Sequence, residues 1–209
     1  MIRAVISVLT LLLGCAPAAD PADTASSPLG APSSDCTGGV FTLVDNAVVF
    51  EAESQPLSDG WVLESNVPDY SGDGYITWGQ PTTTQADDQG LLAYRFRVEN
   101  PGTYTVKLRN YHPCEDFTEC NDVFLRVNDT EWRKNFNHTL RAWDWNSQQD
   151  VDHVFSDAQY DLGAGLHTLY LSGRSEDFSI DQIAIFRTDV PEAQYQDLAP
   201  SPCAALSGE

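Results

Sequence analysis

Two alternating segments joined by a turn constrain the fold more than any other feature of the chain. Residues 91–99 read LLAYRFRVE and residues 103–111 read TYTVKLRNY, with NPG between them. Successive side chains of a β-strand point to opposite faces, so each segment predicts a strand with one buried face. The short turn favours pairing of the two strands as a hairpin. The side chains expected to point inward are Leu92, Tyr94, Phe96, Val98, Tyr104, Val106 and Leu108.

Three further segments have strand character: residues 122–129, 163–174 and 179–188. Polar turns separate them, and no segment has a sustained apolar period of 3.6 residues, as a helix packed on a core would have. Short strands with polar connections indicate an all-β fold. We expect a β-sandwich of jelly-roll type.

The N-terminus has the pattern of a secretory signal. One Arg is followed by an apolar run that ends at Leu-Leu-Gly-Cys, too short a run for a membrane-spanning helix. The Cys after Leu-Leu-Gly resembles the bacterial lipobox, which implies a signal peptide over residues 1–14 and a lipid on Cys15. By the same resemblance, Ala16 in place of Asp favours the outer membrane. The alternative is an ordinary cleaved signal that contains a Cys.

Residues 15–35 are rich in Ala, Pro, Ser and Asp, which predicts a disordered tether. Residues 36–203 then form one domain, followed by a short tail over 204–209. The net charge of the whole chain is −20. Nucleic acid is therefore not an expected partner, because phosphate binding requires clustered Lys and Arg. A strongly acidic surface suits divalent cations instead.

The cysteine count is odd, with five in the chain. Assigning the first to a lipid leaves four in the domain. Cys36 and Cys203 lie at its two ends, where a disulfide would tie the termini together. Cys114 and Cys120 bracket a short loop that a second disulfide would staple. The alternative for this second pair is a zinc site with His112.

Glu51 and Glu53 lie two residues apart in the segment VFEAES and share one face of a strand. Adjacent carboxylates repel, so they require a cation between them or exposure to water. A solvated acidic face is the plain alternative. A catalytic pair is disfavoured, because glycosidase carboxylates flank a substrate from opposing elements. The sequence also has no GxSxG, HExxH or P-loop motif.

Two polar stretches carry aromatic side chains suited to stacking on a sugar. Residues 68–80 contain Tyr75 and Trp78, and residues 137–150 contain Trp143 and Trp145. Flat aromatic rings on loops of a rigid scaffold are typical of a ligand site. The alternative is that one or more of these rings pack in the core.

Five segments in order carry a family resemblance: VVFEAES (48–54), GYITWG (74–79), residues 91–111, NDVFLRVN (121–128) and residues 162–186. Together they resemble the β-sandwich carbohydrate-binding modules of family 6 and family 35, which implies a galactose-binding-like jelly roll. The resemblance covers most of residues 41–187. It also implies that Glu51, Glu53 and Asp181 hold a structural Ca²⁺, a cation that takes six to eight oxygen ligands.

The resemblance further implies a ligand cleft at one end of the sandwich. Tyr75 matches one aromatic of that cleft, and Trp143 or Trp145 matches another. The remaining candidates for ligand contact are Trp78, Asn121, Asp122 and Arg174. The implied function is non-catalytic, calcium-stabilised polysaccharide binding by a lipoprotein that contacts the membrane through its lipid alone. The alternative is a surface adhesion or structural module that binds protein rather than sugar.

Overall fold

The computed structural model describes residues 36–86, 88–146, 148–151, 153–196, 198–201 and 203–205. The signal peptide, the lipidated Cys15 and the tether predicted above lie outside these residues. No helix within these ranges is long and apolar enough to cross a lipid bilayer.

The chain folds into short strands, a 3-10 turn and a short helix. The strands are β1 (Gly39–Thr42), β2 (Ala47–Glu51), β3 (Trp61–Glu64), β4 (Tyr75–Trp78), β5 (Leu92–Val98), β6 (Gly102–Tyr111), β7 (Asp122–Val127), β8 (Arg133–Phe136), β9 (Asp144–Asn146), β10 (Gln148–Val151), β11 (Val154–Asp157), β12 (Gln159–Leu162), β13 (Gly165–Ser172), β14 (Ser179–Arg187) and β15 (Ala204–Ala205). The 3-10 turn is Ala52–Ser54, and the helix α1 is Glu192–Gln196.

The strands form two sheets, which confirms the predicted all-β sandwich. One sheet has the order β11-β10-β8-β7-β13-β5-β1-β15 and is called the eight-stranded sheet below. The other, the seven-stranded sheet, has the order β12-β6-β14-β4-β3, with β2 paired to β14 and β9 paired to β6. Apart from the parallel pair β1 and β5, the paired strands run antiparallel.

The core fills the space between the sheets. Alternation places Leu92, Tyr94 and Phe96 inward from one sheet and Tyr104, Val106 and Leu108 inward from the other, all at most 2 % exposed. The inward parity predicted for both segments is therefore confirmed. The outer face of the seven-stranded sheet carries the opposite set, which on β6 includes Thr105, Lys107, Arg109 and Tyr111.

The hairpin predicted for the two alternating segments is wrong. β5 pairs with β1 and β13, whereas β6 pairs with β14, β12 and β9, so the two strands belong to different sheets. The turn between them crosses from one sheet to the other, and their apolar faces meet across the core. Alternation indicates which side chains are buried, but it is the same for hairpin neighbours and for strands that face each other.

Both predicted disulfides are present. Cys36 bonds to Cys203, and Cys114 bonds to Cys120, which leaves neither sulfur of the second pair as a thiolate ligand for zinc. After β14 the chain passes over the outer face of the seven-stranded sheet through α1. It then returns to the first disulfide, and β15 pairs with β1.

Candidate functional site

A cluster of aromatic rings forms around Trp143 at one end of the seven-stranded sheet. The centroid of the Trp143 ring lies 5.0 Å from that of Tyr75 and 5.4 Å from that of Tyr111. Trp143 Nε1 donates a hydrogen bond of 2.9 Å to the carbonyl of Pro68. Tyr75 is buried, and its ring also contacts Tyr70. Trp143 is therefore a half-buried ring fixed in one orientation on an aromatic base.

A cleft of about 450 Å³ opens beside Trp143. Its lining residues are Val67, Pro68, Asp69, Arg109, Tyr111, Arg141, Ala142 and Trp143. Aromatic faces and charged hydrogen-bonding groups thus meet in one concave surface, the combination expected of a small-molecule or glycan site. Of the seven residues predicted to contact a ligand, Trp143 is the one that lines this cleft, and Tyr75 supports it from below.

Local structure explains why Trp143 faces the cleft. Asp144 is the first residue of β9 and pairs with Asn110 of β6, which attaches the loop to the sheet. Thr139 Oγ1 donates a 2.7 Å hydrogen bond to Asp144 Oδ2 within the same loop. Arg141 has a positive φ of 52° and tethers the loop to its neighbour through a 3.0 Å hydrogen bond from Nε to the carbonyl of Pro113.

Glu51 and Glu53 come together with Ser71 and Asp73 next to the cleft. Glu51 Oε1 accepts hydrogen bonds from Ser71 Oγ at 2.7 Å and from Gln182 Nε2 at 3.3 Å. Glu53 Oε1 accepts one from the backbone N–H of Asp73 at 3.3 Å. The second oxygen of each carboxylate, Oε2, is buried and has no hydrogen-bond partner among the described residues.

Burial changes the acidity of this carboxylate cluster. Desolvation raises the pKa of Glu53 from 4.5 to about 8, and the nearby charge of Glu51 adds to the shift. Desolvation also raises the pKa of Glu51 and of Asp181. Gly72 closes over the pair so tightly that a Cβ there would lie 2.6 Å from Glu53 Oε1. The cluster is therefore a confined site whose negative charge is costly without a cation.

Asp181 is the third member of the predicted calcium set and lies at a β-bulge in β14. Its Oδ1 accepts a 2.9 Å hydrogen bond from the backbone N–H of Ser71, and its Oδ2 forms an ion pair with Arg109. Arg109 thus supplies the positive charge nearest to Asp181. In the described ranges, no group of three or more His, Cys, Asp or Glu side chains has an arrangement that could hold a metal ion.

Arg109 connects the carboxylate cluster to the cleft. Its Nη2 donates a 2.8 Å hydrogen bond to the carbonyl of Asp69, and its guanidinium lies 5.4 Å from the centre of the Trp143 ring. Neither Arg109 nor Tyr111 was among the residues predicted to contact a ligand. The signal that could have found them is the parity of β6, because both alternate with the inward-pointing Leu108 and so face outward.

Trp78 lies in the core, where it is 1 % exposed. Its indole is covered by Gly60, Gly90 and Gly173, and a Cβ on Gly173 would lie 2.2 Å from the ring. Trp61 packs edge-on against it at 5.4 Å. This placement gives Trp78 a packing role in the core, outside the cleft beside Trp143.

None of the other four predicted contact residues is among the lining residues of the cleft. Trp145 is on the same sheet face but packs toward Tyr195, at 5.9 Å between ring centres. Asp122 accepts hydrogen bonds from Arg174 and from Ser175 and is buried. Asn121 is also buried, and its Nδ2 donates to the carbonyl of Phe117 at 2.9 Å. These polar groups hold loops together, and the structure does not bring them into the cleft.

No family model and no curated protein matches the sequence. Solved structures match by fold. A Podospora anserina GH26-CBM35 β-(1,4)-mannanase has a TM-score of 0.51 at 17% identity, over 71% of this chain and 29% of that one.

Two family 35 carbohydrate-binding modules also match. The module from Clostridium thermocellum has a TM-score of 0.48 at 14% identity, over 68% of this chain and 98% of that one. The module from Paenibacillus barcinonensis has a TM-score of 0.44 at 22% identity, over 68% and 99%. Family 35 carbohydrate-binding modules are thus among the structures that this chain resembles, and the similarity to the mannanase shows a shared β-sandwich fold.

Proposed function

We propose that this protein binds polysaccharide without chemical conversion, in the cleft beside Trp143. The observation that carries the proposal is the fixed, half-buried Trp143 ring next to Tyr111 and Arg109 in one concave surface. Sugars present C–H faces that pack on aromatic rings and hydroxyls that need donors and acceptors. Similarity in fold to structures named as carbohydrate-binding modules supports the same class of ligand.

The cleft is preorganised for such a ligand. The hydrogen bond from Trp143 to Pro68 and the contact with Tyr75 hold the ring before any ligand arrives, so little side-chain entropy is lost on binding. Arg109 and Arg141 line the same cleft. Each has at least one nitrogen committed to a protein carbonyl, which fixes the direction of its remaining donors.

Calcium at the carboxylate cluster is a second part of the proposal. The oxygens that would hold it are the buried Oε2 atoms of Glu51 and Glu53, which lack a partner in the described chain. Asp181, engaged by Ser71 and Arg109, is not arranged with them as a third ligand, so backbone carbonyl and water oxygens would complete the coordination. Carboxylate oxygens suit Ca²⁺, and the cation would neutralise a site in which burial raises all three pKa values. The ion would lie where the end of β2 and the 3-10 turn Ala52–Ser54 adjoin β14. Its role would be to stabilise the fold and not to take part in chemistry.

The direct test is retention of the purified full chain on insoluble polysaccharides of plant, algal and microbial origin, in calcium and in chelator. Retention on one class of polymer, competed by its soluble form, would support the proposal and identify the ligand. Release of reducing ends during the same incubation would contradict the non-catalytic role. No retention on any polymer would overturn polysaccharide binding.

One observation favours the alternative, a surface module that binds protein. Phe117 and Phe155 are 50% and 59% exposed, and they belong to a row of ring contacts that runs through His138 and Phe136. Exposed apolar side chains in a row are a feature of protein-binding surfaces. The polymer panel separates the two functions, because a protein-binding module would retain no polysaccharide.

The anchoring of this module remains a prediction from the first residues of the chain. We propose that Cys15 carries a lipid and holds the domain at the outer membrane through the tether. Metabolic labelling with a fatty-acid analogue tests this. Labelled protein in the outer-membrane fraction is expected for the unchanged chain, and none is expected for Cys15→Ser.

A further inference from the structure

A second pocket lies on the same outer face of the seven-stranded sheet as the cleft. Its volume is about 230 Å³. Its walls come from β6, the end of β11, β12 and β14 together with the segment that follows β14, and include Thr105, Lys107, Gln159, Thr188 and Glu192. The residues after 187 lie beyond the part of the sequence that resembles carbohydrate-binding modules. The pocket is thus built partly by a segment outside that resemblance.

The base of the pocket is aromatic and rigid. Phe186 and Tyr195 stack with ring centres 4.1 Å apart and an interplanar angle of 15°. Both rings are lining residues, and both are at most 7% exposed, so the segment that follows β14 is packed firmly onto the sheet. The pocket therefore has a fixed shape before a ligand binds.

Charged groups on the pocket wall are held in place by one another. Lys107 Nζ lies 2.8 Å from Glu192 Oε1, and the same oxygen accepts hydrogen bonds from Tyr195 at 2.9 Å and from Gln196 at 3.1 Å. Burial disfavours the ammonium of Lys107, but its contacts with Glu192 and Tyr195 outweigh this and raise its pKa. The hydrogen bond from Lys107 lowers the pKa of Glu192, so both groups are charged at neutral pH.

The chemistry of the wall selects a neutral polyol. Hydroxyl, amide, ammonium and carboxylate groups together can donate to and accept from neighbouring sugar hydroxyls. Asp157 and Glu192 line the pocket against a single Lys107, and the whole chain has a net charge of −20. An anionic sugar is therefore disfavoured.

The pocket and the cleft are rooted in the same strand. Arg109 and Tyr111 line the cleft, and Thr105 and Lys107 line the pocket, all on the outward parity of β6. Arg109 and Thr105 are four residues apart. At ~3.4 Å per residue, the two sites are roughly 14 Å apart along the strand. A single oligosaccharide of several units can span that distance on one sheet face.

From this arrangement we propose that the pocket is a second sugar-binding subsite, which takes a neutral unit of the same polysaccharide chain that occupies the cleft. The inference rests on the proposed function of the cleft. Two linked contacts raise the affinity for long chains far more than for short ones, because the second contact is intramolecular once the first has formed.

The experiment compares oligosaccharides of two and six units by calorimetry, prepared from mannan, xylan and dextran, on the full chain. The test variant is Gln159→Ala with Thr188→Ala, which removes pocket hydrogen-bonding groups and leaves the Lys107–Glu192 pair intact. The matched control is Gln148→Ala with Thr42→Ala, two exposed positions on the eight-stranded sheet. Trp143→Ala reports on the cleft.

For the oligosaccharide that binds, the test variant is expected to bind six units about tenfold more weakly than the unchanged chain, and to bind two units equally well. The control variant is expected to match the unchanged chain with both. Equal affinity of the test variant for six units, with a loss in Trp143→Ala, would overturn the second subsite and leave the cleft standing. No binding of any oligosaccharide by the unchanged chain would overturn the proposed function and the subsite with it.

Discussion

The guanidinium of Arg109 lies 5.4 Å from the centre of the Trp143 ring and forms an ion pair with Asp181 on its other side. One side chain thus contacts both the proposed ligand cleft and the carboxylate cluster. A change of charge at the cluster therefore acts on Asp181, the ion-pair partner that holds Arg109 beside the Trp143 ring. The two sites are therefore adjacent. The variants below test polysaccharide binding in the cleft and calcium binding at the cluster separately.

Trp143→Ala should weaken polysaccharide binding roughly thirtyfold, which corresponds to about 2 kcal/mol for loss of a central aromatic contact. The matched control is Trp132→Ala, because Trp132 is another half-buried Trp, packed on Arg126 at 4.4 Å on the eight-stranded sheet. Affinity electrophoresis with the retained polymer measures both. Equal losses in the two variants would contradict a specific role for Trp143.

Glu53 should make the calcium-free protein less stable as the pH rises. In the folded chain its pKa is about 8, against an ordinary 4.5, so the folded state binds more protons between these values. The stability that the folded chain gains from holding Glu53 protonated is fully present below pH 4.5 and is lost as the pH rises through 8. Glu53→Gln removes this pH dependence and keeps the stability of the neutral form, since the amide does not titrate.

Melting curves in chelator across this range measure the effect. We expect Glu53→Gln to melt about 3 °C above the unchanged chain at the alkaline end, a difference that partial exposure of the carboxylate keeps small, and to melt with it at the acidic end. Parallel curves for the two proteins at all pH values would show that Glu53 titrates normally.

Calcium should raise the melting temperature at mildly alkaline pH. A ligand present at a hundred times its Kd stabilises the folded state by about 2.7 kcal/mol. Glu51→Gln and Glu53→Gln should each lose this gain. Glu64→Gln, which removes a carboxylate that accepts a 3.0 Å hydrogen bond from Thr77 outside the cluster, should retain it. Differential scanning calorimetry with calcium, magnesium and chelator is the measurement, and a gain that survives in both cluster variants would place the ion elsewhere.

Gly173→Ala should destabilise the fold by about 2 kcal/mol, because the added Cβ overpacks the core against Trp78. It would lie 2.2 Å from the indole of that side chain. Gly163→Ala is the matched control, since a Cβ there has nothing within 4 Å. Urea unfolding of the two variants compares them. Equal midpoints would show that the indole can shift and that Trp78 is less confined than its burial indicates.

The sequence alone predicts several of the strands, and the inward side chains of β5 and β6. The alternation over β5 and β6 places Leu92, Tyr94, Tyr104 and Val106 in the core, as observed, because the direction of a strand side chain depends only on its neighbours along the chain. The two disulfides also follow from cysteine number and position. Strand parity is a local property of the chain, and four cysteines in the domain leave few possible disulfide pairings.

Sequence reasoning could not choose between Trp143 and Trp145, which have the same parity. Trp143 precedes β9 and reaches over the sheet end to Tyr75, whereas Trp145 lies within β9 and packs toward Tyr195. The difference depends on which strand β9 joins and where the segment after β14 passes. The burial of Trp78 could not be predicted either, because the three glycines that cover its indole are far apart in the sequence.

By itself the sequence determined the all-β class, the inward side chains of β5 and β6, and the disulfides. The strand face predicted to carry both Glu51 and Glu53 is wrong, because β2 ends at Glu51 and Glu53 lies in the 3-10 turn Ala52–Ser54. Only the tertiary structure decided that β5 and β6 lie in different sheets, and that Arg109 stands between Asp181 and Trp143. The physical reason is that alternation encodes burial but not the identity of the strand across the core. A site built from β6, β14 and two loops exists only once those strands are placed side by side.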